Sequence, residues 1–194
     1  MKKLFAIVGL VVGLATGAAQ AASIVGGETT VAVTAPLGDL GLGGAPFGTA
    51  TADGGVFAFP VTGGTSDSSG LLIEHDGSGV TLFTLDINDT SAVTVGNFLI
   101  DTAQATVFGD VLGGPSGLDL FSFGTVDSSG IGLNITSTLA GALTDIFGAP
   151  DLAGVEFGVA NTSPSVVPLP ASALLMLGGL GALGVFRMRG RANA

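Results

Sequence analysis

The chain has 194 residues, 47% hydrophobic and only 10% charged, with 34 glycines and no cysteine, tryptophan or tyrosine. Disulfides, thiolate nucleophiles and cysteine-held metals are thereby excluded, and the apolar content is too high for a solvated disordered chain. All five cations sit at the two ends and all 15 carboxylates lie between them, so the folded region repels phosphate backbones and no nucleic-acid binding is expected.

The chain opens on Lys2-Lys3, the apolar run Leu4–Ala18 and the small-residue site Ala19-Gln20-Ala21. Cations that stay behind, an apolar helix that enters the bilayer and small residues that fit a peptidase pocket are the three parts of a secretory signal peptide. Residues 1–21 are therefore expected to be a signal helix, handled by the general secretion machinery and removed by signal peptidase after Ala21.

Residues 22–162 read as one mainly β domain. Short runs rich in Val, Ile, Thr and Phe recur at Thr29–Thr34, Val56–Val61, Leu71–Glu74, Val80–Ile87, Ala92–Val95, Asn97–Ile100, Ala105–Phe108, Leu118–Phe123, Ile131–Ile135 and Val155–Val159. Turn residues separate them, among them Gly63-Gly64, Asp76-Gly77, Asn88-Asp89 and Gly113-Gly114. Short strands at this spacing predict an antiparallel β-sandwich or a barrel-like domain. Gly38–Gly48, with five glycines and a proline, reads as a loop. Asp67-Ser68-Ser69-Gly70 and Asp127-Ser128-Ser129-Gly130 repeat one turn chemistry. Thr138–Phe147 breaks the pattern: Leu139, Leu143, Ile146 and Phe147 share a helical face, and Gly148 and Pro150 end it. One short helix is expected there.

Four segments in order, Phe59-Pro60-Val61-Thr62-Gly63-Gly64, Ile73-Glu74-His75-Asp76-Gly77, Asn97-Phe98-Leu99-Ile100-Asp101 and the helix ending Phe147-Gly148, resemble secreted β domains of the HtaA type. That resemblance implies a ligand-binding β module. In the family a tyrosine and a histidine hold haem; here only His75 is available, and there is no tyrosine.

The remaining chemistry is sparse. His75 is the one side chain with a near-neutral reference pKa, and its place before Asp76-Gly77 reads as a turn position. No Gly-x-Ser-x-Gly elbow exists to aim a serine at a substrate. Paired carboxylates for glycoside hydrolysis lack a Trp or Tyr to stack on a sugar. A secreted hydrolase is thus the last of the alternatives, and no catalytic residue is assigned. No cofactor is expected either; Ca²⁺ is the one ion the oxygen donors suit, with Asp86, Asn88 and Thr90 at alternating positions as its ligands.

After a linker at 163–166 comes Val167-Pro168-Leu169-Pro170-Ala171, then the apolar stretch 172–186, then the basic end 187–194 with Arg187, Arg189 and Arg191. The prolines forbid a helix through the motif, the apolar stretch is free to cross a membrane as a single helix, and the arginines hold its far end in the cytoplasm. This tail resembles the VPLPA form of the PEP-CTERM sorting signal, matching its motif residue for residue. The resemblance implies an exosortase substrate: a precursor held in the inner membrane, cut near the motif by an exosortase-like membrane protease or transpeptidase, and passed to the cell surface, outer membrane or extracellular matrix of a Gram-negative bacterium. The expected function is that of an exported, non-enzymatic surface or matrix protein.

Overall fold

The computed structural model describes residues 21–168. The expected signal segment 1–20, with Ala19, and the tail from 169 onward, with Leu169, Pro170, Ala171, the expected membrane helix and the three arginines, lie outside the described residues. Among those described, no helix is long and apolar enough to cross a membrane.

The described chain is mainly β, with eleven strands: β1 (Ala22–Val33), β2 (Leu42–Gly48), β3 (Thr51–Asp53), β4 (Val56–Pro60), β5 (Gly63–Ser66), β6 (Leu71–Thr84), β7 (Ala92–Asp101), β8 (Thr106–Val111), β9 (Leu118–Asp127), β10 (Gly130–Ile135) and β11 (Glu156–Pro168). Helix α1 (Ser137–Phe147) sits between β10 and β11, and a 3-10 turn spans Leu37–Leu40. Every pairing is antiparallel, as the short connections require.

From β5 the sheet runs through β6, β7, β8, β9 and β10 to β11, and both β11 and β5 pair with β1, so it closes on itself. Of the two expected arrangements the structure therefore takes the barrel. Closure leaves no edge in that ring to be capped. Only half of β6 pairs with β5; its second half pairs with β2, while β1 continues against β4 and β4 against β3. Along β7 and β8 alternate residues turn inward, and Val93, Val95, Ile100, Val107, Leu120, Leu133 and Ile135 bring β7, β8, β9 and β10 into one core.

The helix forms where the sequence places it. Thr136 caps it, its Oγ1 accepting from the Leu139 N–H at 3.3 Å, and Gly148 ends it in the left-handed conformation. Leu139, Ala140 and Leu143 are buried, so α1 lies over the barrel end at which β10 finishes.

Four expectations need correction. Asp76-Gly77 does not separate two strands but forms a bulge inside the single strand β6, between the pairs His75–Phe98 and Gly79–Gly96. Ala92–Val95 and Asn97–Ile100 likewise belong to one strand, β7. Gly63-Gly64 opens β5 rather than a turn. Within the expected loop Gly38–Gly48, residues 42–48 are strand β2, because absent side chains let that backbone lie against large neighbours: a Cβ on Gly43 would stand 2.6 Å from the Phe83 ring. The two Asp-Ser-Ser-Gly segments do form matching hairpin turns, in each of which the aspartate Oδ1 accepts the N–H two residues on at 2.7 Å.

Candidate functional site

Two places in the barrel bring candidate residues together: the interior around His75, and the rim where the start of β1 pairs with the last described residues of β11.

The alternation of β6 turns His75 inward, and the bulge that follows fixes it there. Asn97, at φ 51°, accepts the Gly77 N–H on Oδ1 at 2.9 Å and donates from Nδ2 to Asp110 Oδ2 at 2.9 Å. Ser78, 1% exposed, donates to the His75 carbonyl at 2.9 Å. His75 itself is only 1% exposed. It is a core histidine, not the turn residue that Asp76-Gly77 suggested. Phe59 stands edge-on to it, with centroids 6.5 Å apart.

Both imidazole nitrogens are engaged. Nδ1 lies 3.2 Å from the Phe98 carbonyl and Nε2 lies 2.8 Å from Oγ1 of Thr29, which in turn lies 2.9 Å from Oγ1 of Thr162. A carbonyl only accepts, so Nδ1 carries a proton. Thr29 donates its hydroxyl to Thr162, and Nε2 stands within hydrogen-bond distance of the same Thr29 oxygen. Burial holds the His75 pKa below its ordinary value, against smaller opposing effects of the Phe98 carbonyl and the Asp76 charge. No nitrogen is left free to take a proton from a substrate or to bind iron.

His75 and Thr29 face an interior cavity of about 80 Å³, lined otherwise by apolar side chains such as Val31, Leu82, Val95, Phe98, Leu133 and Leu139. Ligand sites for drug-sized molecules run to ~300–1,000 Å³. Haem, implied by the HtaA resemblance, does not fit: the cavity is too small, the histidine is sealed in the core, and the chain has no tyrosine.

The calcium candidates Asp86, Asn88 and Thr90 fall on the exposed connection between β6 and β7. Asp86 Oδ1 accepts from Asn88 N at 2.9 Å and from Asn88 Nδ2 at 3.2 Å, so this carboxylate serves its own turn. Asp89 is bonded in the same way by the N–H and hydroxyl of Ser91, which hold its pKa below the ordinary carboxylate value. Among the described residues no group of three or more His, Asp or Glu side chains is placed to hold a metal.

At the rim, β1 and β11 pair in register from Val33–Gly158 to Ala22–Pro168, with a shift between Ile24 and Gly26. Residues 163–166, expected as a linker, are strand throughout. The last two described residues, Val167 and Pro168 of the expected sorting motif, pair with Ser23 and Ala22. Ala21, the last residue of the expected signal peptide, lies just outside the strand and is exposed. Nothing in the local sequence marks this extension, since Ser163-Pro164-Ser165 has the composition of a linker; its strand character comes from β1, more than 130 residues away in the chain.

No protein-family model, curated protein or solved structure matches the chain.

Proposed function

We propose that the protein is an exported, non-enzymatic surface or matrix protein whose barrel is delivered by a cleaved amino-terminal signal and a sorting tail processed by an exosortase-like membrane enzyme. The sequence of the two ends carries this reading. One structural observation supports it: strand β1 begins at Ala22, next to the expected signal-peptidase site at Ala19–Ala21, and its start pairs with Val167 and Pro168, the last described residues and the first two of Val167–Ala171. Ala22 and Pro168, to which the two expected targeting segments attach, therefore lie side by side at one end of the barrel, which suits a precursor held to one membrane by its ends. The sealed state of His75 supports the non-enzymatic part, because the one near-neutral base in the chain has no route to a substrate.

The test is localisation in a Gram-negative host that possesses an exosortase. The full chain should reach the cell exterior, and a chain ending at Pro168 should remain in the periplasm. The same destination for both would refute the sorting role.

A second reading, a ligand-binding β module of the HtaA type, draws on the interior cavity of about 80 Å³. In this chain it would accept a small apolar molecule and not haem.

A further inference from the structure

We infer that the barrel holds a small, uncharged, apolar molecule in its interior cavity, and that this molecule enters through a cleft between β2 and β3 whose inner end is Leu37 and Phe57. The inference rests on the ligand-binding reading and gives it a route and a ligand class. The β1–β5 seam has only two rungs, Ala22–Ser66 and Ser23–Thr65. Beyond them the wall consists of β6 with β2 on one side and of β1, β4 and β3 on the other, and among the described residues no pairing joins β2 to β3. A cleft of about 410 Å³ lies at this interruption, with Ala35, Gly44, Asp53 and Gly55 in its walls. Leu37 and Phe57 belong to two linings, that of the cleft and that of the cavity of about 80 Å³ beside His75.

The passage is closed by side chains and not by a ladder. Leu37 sits half-buried in the 3-10 turn, packed against the core. The Phe57 ring reaches toward β2, where a Cβ on Gly44 would stand 3.4 Å from it. Opening therefore takes rotation of Leu37 and leaves the interstrand hydrogen bonds in place. The chemistry inside selects the ligand. Nδ1 of His75 lies against the Phe98 carbonyl, Nε2 against Thr29, and Thr29 donates to Thr162, so a polar guest would lose its water and find no free partner. Asp53 at the cleft, in a chain with 15 carboxylates and no Lys or Arg between Leu4 and Phe186, turns anions away. Volume limits size. An apolar cavity of ~150 Å³ takes benzene or xenon, and this one, at about 80 Å³, suits a molecule of a few heavy atoms.

The probe is xenon, applied under pressure to the full chain in detergent micelles with labelled Ile, Leu and Val methyls, against helium at equal pressure. Methyls inside the barrel, those of Val31, Val95 and Leu133, should shift saturably, while those of the exposed Ile87 and Val126 should not. The rate of exchange, read by xenon NMR saturation transfer, then locates the door. Leu37→Ala should speed exchange several-fold more than Leu143→Ala, which removes the same atoms from the cavity lining but lies outside the cleft. Gly44→Ala adds a methyl at ordinary contact distance from the Phe57 ring, so it should fold and slow exchange, and it decides the matter if Leu37→Ala does not fold. Equal rates in the Leu37 and Leu143 variants, or an unchanged rate in Gly44→Ala, would overturn the route and leave the ligand-binding reading intact. Interior methyls that do not respond to xenon would overturn both.

Discussion

Nε2 of His75 stands 2.8 Å from Oγ1 of Thr29, a residue 46 positions earlier, and both are buried in the barrel wall. This contact ties β6 to β1 across the interior, and Thr162 of β11 extends it. Through three side chains it joins the strands at the closing seam to the middle of the sheet. A buried network of this kind specifies one register only while all of its members are satisfied.

It also makes stability depend on pH. In the unfolded chain the imidazole titrates near 6.5, and in the barrel burial holds its pKa lower. Between those two values the unfolded state binds the extra proton, so stability falls as pH drops below 6.5 and levels off once the folded pKa is passed. Urea melts at pH 7.5 and 5.5 should show this loss in the native chain. In His75→Leu, where Thr29 and Thr162 still partner each other, the loss over the same interval should be smaller. Equal losses in both chains would show that His75 does not titrate on unfolding.

Close approach of β6 and β7 sets a second expectation. A Cβ on Gly79 would stand 2.3 Å from the Val95 carbonyl oxygen and 2.8 Å from Gly96 Cα, both backbone atoms that cannot swing aside. Gly79→Ala should therefore cost ~1–3 kcal/mol as an overpacked site, or roughly 2–4 °C in Tm for each kcal/mol. Gly26, on β1, has nothing within 4 Å of its would-be Cβ, and Gly26→Ala should stay within ~0.5 kcal/mol. Thermal melts of the pair decide it, and a Gly79→Ala chain as stable as Gly26→Ala would contradict the packing.

Fifteen carboxylates and no Lys or Arg between Leu4 and Phe186 leave the barrel repelling itself. Raising NaCl from low ionic strength should raise Tm, since the screening length shrinks to ~10 Å at 0.1 M. Because Asp86 already serves the Asn88 N–H, CaCl₂ at matched ionic strength should give the same rise. An additional rise in Ca²⁺ that disappears in Asp86→Asn would instead establish a calcium site in this loop.

The strands legible in the sequence were those whose own residues favour extension, such as Leu118–Phe123 and Ile131–Ile135, together with a helix that carries its own cap and stop. Hidden from it were elements whose conformation comes from a distant partner. Glycine-rich β2 is a strand because β6 pairs with it, and Ser163–Pro168 because β1 does. Bulges are hidden for a related reason: Asp76-Gly77 has turn chemistry, and the structure uses it to bend one strand instead of ending it. His75 stands out in the sequence as a chemical group, yet its partners Thr29 and Thr162 carry no local signal, since only closure of the barrel brings them together.

The end of β11 gives the last prediction. Residues 163–168 pair with Glu28 back to Ala22 and cover Ile24, so removing them strips one edge of β1 and opens part of the core. Thr162 remains, and with it the network at His75. A chain of residues 22–162 should still fold, because the ring from β5 to β11 retains its other pairings. It should be weaker than residues 22–168 by at least about 2–3 kcal/mol, because six rungs are lost at ~1 kcal/mol for each net hydrogen bond, partly offset by the entropy that the freed residues regain. That corresponds to a Tm lower by roughly 5–10 °C. Side-by-side melts of the two chains measure the difference. Identical melts would mean that the terminal rungs contribute nothing to the barrel.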